Sequence, residues 1–148
     1  MKAERLTSKK TKTIAYQNLY PMNLYVNWMT EVNDVNDFFY FYDSTKDLSE
    51  DTRDDRPFNP SPMSDACTVL VREKDGGSVG VLILLKKDIK ISVLAHEAVH
   101  YVDALYDYLN LYSQGFDDPG GNEHYAYLVE WCVDQLEDFI EFKSKKNR

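Results

Sequence analysis

The chain has 148 residues, a formal net charge of −8, and a composition that is 43% hydrophobic and 14% aromatic. That composition excludes a disordered chain, and the length suits one domain large enough to bury a core. No run of 18 or more apolar residues occurs, so a membrane-spanning helix is not expected.

The charge is uneven. Nine of the 17 basic residues lie at the ends: Lys2, Arg5, Lys9, Lys10 and Lys12, then Lys143, Lys145, Lys146 and Arg148, with Glu4 the one acid among them. That leaves 8 basic and 24 acidic residues between, a net of −16, so specific nucleic-acid binding is not expected of the body. The polar start lacks the apolar core of a signal peptide, which leads to an expectation of retention in the cytosol that makes the protein. Cys67 and Cys132 are read as buried thiols.

In chain order, residues 1–12 read as a flexible basic tail. Thr11 to Tyr16 alternates and is rich in β-branched residues, which predicts a strand. Leu24 to Met29 predicts a second strand. Thr30 then reads as the cap of a short helix over 31–39, with Val32, Val35, Phe38 and Phe39 inward. Residues 43–64 are acidic, hold Pro57, Pro60 and Pro62 and show no period, so a long surface loop is expected. Ala66 to Lys74 and Ser78 to Lys86 flank Asp75-Gly76-Gly77, which predicts a β-hairpin. Its second strand is nearly all apolar and should lie inside the sheet or against helices.

A helix over 90–111 follows, with Ile91, Leu94, Ala95, Ala98, Val102, Leu105 and Leu109 as its core stripe. His96, His100, Asp103 and Asp107 fall on the opposite face. Residues 113–121 read as a loop, Asn122 as a cap, and 123–142 as a last helix packed through Tyr125, Leu128, Val129, Cys132, Leu136, Phe139 and Ile140. Residues 143–148 form a second basic tail.

His96-Glu97-Ala98-Val99-His100 is H-E-x-x-H. On a helix this spacing stacks two imidazoles on one face as zinc ligands and sets the glutamate beside them as a general base. Catalytic zinc takes three protein ligands. Glu123 is the expected third, since it opens the last helix, where a loop can fold it back; His124, Glu130 and Asp103 are rivals. Asp103, Glu130 and Asp134 are also candidates to orient a ligand histidine through its far nitrogen. Tyr127, His124 and Tyr106 are candidate donors to an oxyanion, with Tyr127 preferred.

Asn122-Glu123-His124-Tyr125-Ala126 matches N-E-x-x-A, and its order after H-E-x-x-H resembles the gluzincin metallopeptidases over 96–126. Tyr20-Pro21, the hairpin, Ala95 to His100 and Asn122 to Trp131 further resemble a group of small proteins encoded by tailed bacteriophages of gut bacteria. The resemblances imply an α+β, zincin-like domain over 13–142. Its antiparallel sheet, made of the hairpin plus one or two further strands, would pack on the H-E-x-x-H helix and the C-terminal helix. The gluzincin resemblance implies Zn2+ as cofactor and a protein or peptide substrate, and the phage resemblance a place in the host cytoplasm or the virion; the motif chemistry gives Glu97 and Tyr127 as the expected catalytic residues, and the lack of a long apolar run gives no membrane. The alternative is a non-catalytic structural or binding component of a phage particle, in contact with phage structural proteins.

Overall fold

The structure, a computed structural model, describes residues 3–53, 55–113 and 122–146. It is an α+β fold built on one six-stranded sheet. The strands are β1 (Arg5–Ser8), β2 (Thr11–Tyr16), β3 (Asn23–Trp28), β4 (Phe39–Tyr42), β5 (Ala66–Glu73) and β6 (Val79–Leu85), and the helices are α1 (Val32–Phe38), α2 (Thr45–Glu50), α3 (Ile91–Tyr108) and α4 (Glu123–Lys146). The sheet order is β1-β2-β3-β6-β5-β4. Every pair is antiparallel except β3 with β6, which run parallel from Asn23 opposite Gly80 to Trp28 opposite Leu85. The sheet is therefore larger than the hairpin plus one or two strands expected, and it is mixed.

The apolar run of β6 is explained by its place. It lies inside the sheet between β3 and β5, and Val81 to Leu85 are fully buried. Gly80 permits the parallel neighbour to come close: a Cβ there would lie 2.3 Å from the Asn23 carbonyl oxygen and 2.6 Å from the Tyr25 ring. At the hairpin, Gly76 and Gly77 take φ of 86° and 72°, a left-handed pair that only glycine adopts without strain.

Each sheet face has its own core. Leu24, Val26, Val81, Ile83 and Leu85 pack on one face with Leu94, Ala98, Tyr101, Val102 and Leu105 of α3 and with Leu128, Cys132, Leu136 and Phe139 of α4. Tyr25, Phe39, Val71, Leu82 and Leu84 pack on the other with Val35 of α1 and Phe58. Strand alternation alone divides the side chains this way.

Four elements differ from the sequence expectation, the first being α4, which runs on to Lys146 through part of the segment read as a second basic tail. Within the segment read as a tail, Arg5–Ser8 pairs with β2 as β1, and Arg5 Nη1 donates to Asp138 Oδ1 of α4 at 2.8 Å. The first predicted helix stops at Phe38, and Phe39 to Tyr42 form β4 on the far side of β5. That helix starts only after a 3-10 turn at Met29–Glu31, without a side-chain cap from Thr30. Inside the acidic stretch, Ser44 caps α2 by accepting the Asp47 backbone N–H at 3.1 Å, and Leu48 is buried beneath it. Both thiols are free, with Cys132 buried and Cys67 half-buried. No helix among the described residues is long and apolar enough to cross a membrane.

Candidate metal centre

α3 carries the H-E-x-x-H motif across one face of the sheet. Its start at Ile91 has no side-chain cap. Its end is a left-handed Asn110, φ 56°, with the Leu111 N–H returning to the Tyr106 carbonyl at 2.8 Å, which satisfies a terminal acceptor. Leu94, Ala98, Tyr101, Val102 and Leu105 face the sheet; His96, His100, Asp103 and Asp107 are exposed. The predicted helix and its two faces are thus present, although Ile91 and Ala95 are exposed rather than part of the stripe.

His96 Nε2 and His100 Nε2 lie 3.2 Å apart with rings nearly perpendicular. Nitrogens this close either share a proton or share an ion. Two imidazoles bound to one tetrahedral zinc at about 2.0–2.1 Å place their nitrogens about 3.3 Å apart, so the donor pair fits that ion. Glu97 joins them: one ligand atom from each of His96, Glu97 and His100 falls within a 4.8 Å group.

Glu97 is the residue whose surroundings the motif does not reveal. It is only 5% exposed and sits under β5, where Thr68 Oγ1 donates to its Oε2 at 3.1 Å. No buried side-chain nitrogen or oxygen among the described residues lacks a partner, so the second carboxylate oxygen of Glu97 has access to the cleft. Two clefts meet at this carboxylate. One, of about 460 Å³, is lined by Tyr42, Asp43, Thr68, Leu70, Glu97 and His100, among others. The other, of about 390 Å³, is lined by Asp65, Ala66, Ser92, Val93, His96 and Glu97, among others. β4 covers only Leu70 to Glu73 of β5, so among the described residues Ala66 to Val69 have no strand on the side away from β6.

The other expected site residues are more scattered. Glu123 is exposed on the first turn of α4 and is not part of the His96–Glu97–His100 group. That turn docks beside the motif: Tyr125 Oη donates to Asp103 Oδ1 at 2.5 Å and reaches the Val99 carbonyl at 3.4 Å. Burial, then the Asp103 carboxylate, pushes the Tyr125 hydroxyl well above its usual range. Asp103 is therefore engaged by a tyrosine, one turn beyond His100. His124, a rival ligand, is engaged elsewhere: a hydrogen bond of 2.7 Å joins its Nε2 to Tyr20 Oη, and Tyr106 stacks on its ring. Tyr106 is buried and Tyr127 is 63% exposed, and neither lines the two clefts. Glu130 is exposed and Asp134 half-buried farther along α4.

Thr68, Asp43 and Asp65 were not foreseen. Their importance comes from contacts between β5, the end of β4 and α3, some 29 residues apart for Thr68 and Glu97, and no local pattern announces them. Cys67, on the same strand, faces the opposite core; burial, then the charge of Glu97, pushes its thiol up to about 11, so it is not an activated nucleophile. Compared with known proteins, the chain matches no family model, no curated protein and no solved structure.

Proposed function

We propose that this chain is a zinc-dependent hydrolase of peptide bonds, carried on a zincin-like domain. The observation that supports it most is the convergence of two imidazole nitrogens 3.2 Å apart with a buried carboxylate at the meeting point of two clefts. His96 and His100 would hold the ion, with Glu123 the proposed third ligand because its turn of α4 is fastened next to Val99 and Asp103. A bound zinc ion supplies Lewis-acid character, polarising a carbonyl and acidifying water. Glu97 accepts the proton of the attacking water on its free oxygen and passes it to the leaving amine. Thr68 holds the other oxygen in place. The open edge of Ala66 to Val69 offers backbone groups on which an extended peptide can pair as an added strand.

The test combines metal content with one substitution. The purified chain should carry about one zinc per molecule, and His96→Ala should lose it. Glu97→Gln should keep zinc and fold while losing hydrolysis. A wild type that purifies without metal, together with a His96→Ala variant no less stable than it, would overturn the proposal.

A second reading is favoured by one observation: among the described residues no third protein ligand outside the motif joins His96 and His100. On that reading the domain is a binding component of a phage particle or complex, without turnover. A biological role that survives Glu97→Gln, in a chain that still binds zinc, selects it. The phage setting rests on the sequence resemblance in either case.

A further inference from the structure

Each of the two clefts is lined by one exposed acid. Several acids of this surface find cations: Asp75 pairs with Lys10, Glu31 with Lys12, Asp51 with Arg53 and Arg72, and Glu141 with Lys145. Asp43 and Asp65 are both exposed, and among the described residues neither is in an ion pair. Each lines a different cleft. Asp43 stands with His100 and Leu70 where β4 ends, and Asp65 stands with His96 and Val93 where β5 begins. Among the described residues no lysine or arginine lines either cleft. The groove along the open edge of β5 therefore has an unpaired carboxylate on each side of Glu97.

We propose that the groove selects a peptide segment bearing lysine or arginine on both sides of the position that meets Glu97, with Asp43 and Asp65 as the specificity determinants. This rests on the reading of the site as one that holds an extended peptide. The physical basis is complementarity. A basic side chain gains an ion pair at either end, an acidic one meets like charge, and a body of net −16 between the tails steers cations toward the groove.

Binding and turnover separate the two levels of the claim. Fluorescent extended peptides rich in lysine, in serine and alanine, or in glutamate are titrated into zinc-loaded Glu97→Gln chain, and the same peptides are offered to wild type for cleavage. The lysine peptide should bind tightest. Asp43→Asn and Asp65→Asn should each weaken it about two- to fivefold, as for exposed ion pairs. The double variant should bind the lysine and neutral peptides alike, and raised salt should shrink the wild-type preference. Equal binding of all three peptides, no binding of any, or preference for the glutamate peptide overturns the inference. Cleavage by wild type without charge preference overturns it while leaving hydrolysis standing. Selective binding of the lysine peptide without any cleavage upholds it and removes the hydrolase reading.

Discussion

Two carboxylates are buried at opposite ends of this fold, and they are treated differently. Asp138 of α4 is 3% exposed; its Oδ1 accepts from Arg5 at 2.8 Å and its Oδ2 from the Tyr16 hydroxyl at 2.8 Å. Glu97 of α3 is 5% exposed, with Thr68 as its one hydrogen-bond donor among the described residues and no cation beside it. Buried charge is expensive unless paired and hydrogen-bonded. Asp138 meets that requirement in full and ties β1 and β2 to α4. Glu97 meets it in part, with an oxygen left toward the cleft. A carboxylate held so incompletely is available to do chemistry, whereas a saturated one is structural.

Substitutions should split along this line. The largest effect is Glu97→Gln, with hydrolysis falling about 10²- to 10⁴-fold, the usual contribution of a general base, and thermal stability nearly unchanged. Asp138→Ala should do the reverse. It strands the buried Tyr16 hydroxyl and costs about 2–3 kcal/mol in denaturant titrations, while zinc content and turnover per folded molecule hold.

The same contrast can be broken with pH. Burial, and then the hydrogen bond to Asp138, push the Tyr16 hydroxyl far above its usual range; burial does the same to Tyr25, where Glu73 adds to it, and to Tyr101. An unfolded tyrosine ionises near pH 10, and these three do so later when folded. Above about pH 10 the unfolded state therefore binds fewer protons than the folded one, and stability falls as pH rises. Thermal melts at increasing pH should show a loss that begins near pH 10, and Tyr16→Phe should make it shallower. An unchanged melting temperature through pH 11 would contradict that account.

Legibility in the sequence followed the range of the interactions. The hairpin, α3 and the opposed faces of the motif helix could be read because Asp75-Gly76-Gly77 and the Leu94, Ala98, Val102, Leu105 spacing are local signals. β1 was hidden because its strand character depends on β2 beside it and on Asp138, 133 positions away from Arg5. β4 was hidden because the aromatic run Phe38 to Tyr42 fits a helix face as well as a strand, and only pairing with β5 decides. α2 was hidden by acidic composition, although Ser44 three residues before Asp47 is a cap signal. At the site, His96, Glu97 and His100 were readable as a set, whereas the donor to Glu97 was not, since nothing in the sequence of β5 singles out Thr68.

Thr68 therefore gives the smallest and most specific test of the comparison. Its hydroxyl is a single donor to a charged acceptor that is otherwise open to the cleft. Thr68→Val keeps the β-branched shape that suits a strand and removes only that donor, so β5 should stay paired, with a stability loss of about 1–3 kcal/mol for the carboxylate oxygen left without its donor. Glu97 would keep its place in the helix but lose the bond that fixes its carboxylate. Hydrolysis should then fall about tenfold, in line with a hydrogen bond to a charged group, mainly in kcat, since the β5 backbone on which a peptide would pair is unchanged. Thr68→Ser restores the donor and should recover most of the rate. Equal rates for the valine and serine variants would mean that Glu97 is held by burial alone, and that its difference from Asp138 lies in packing rather than in the number of donors.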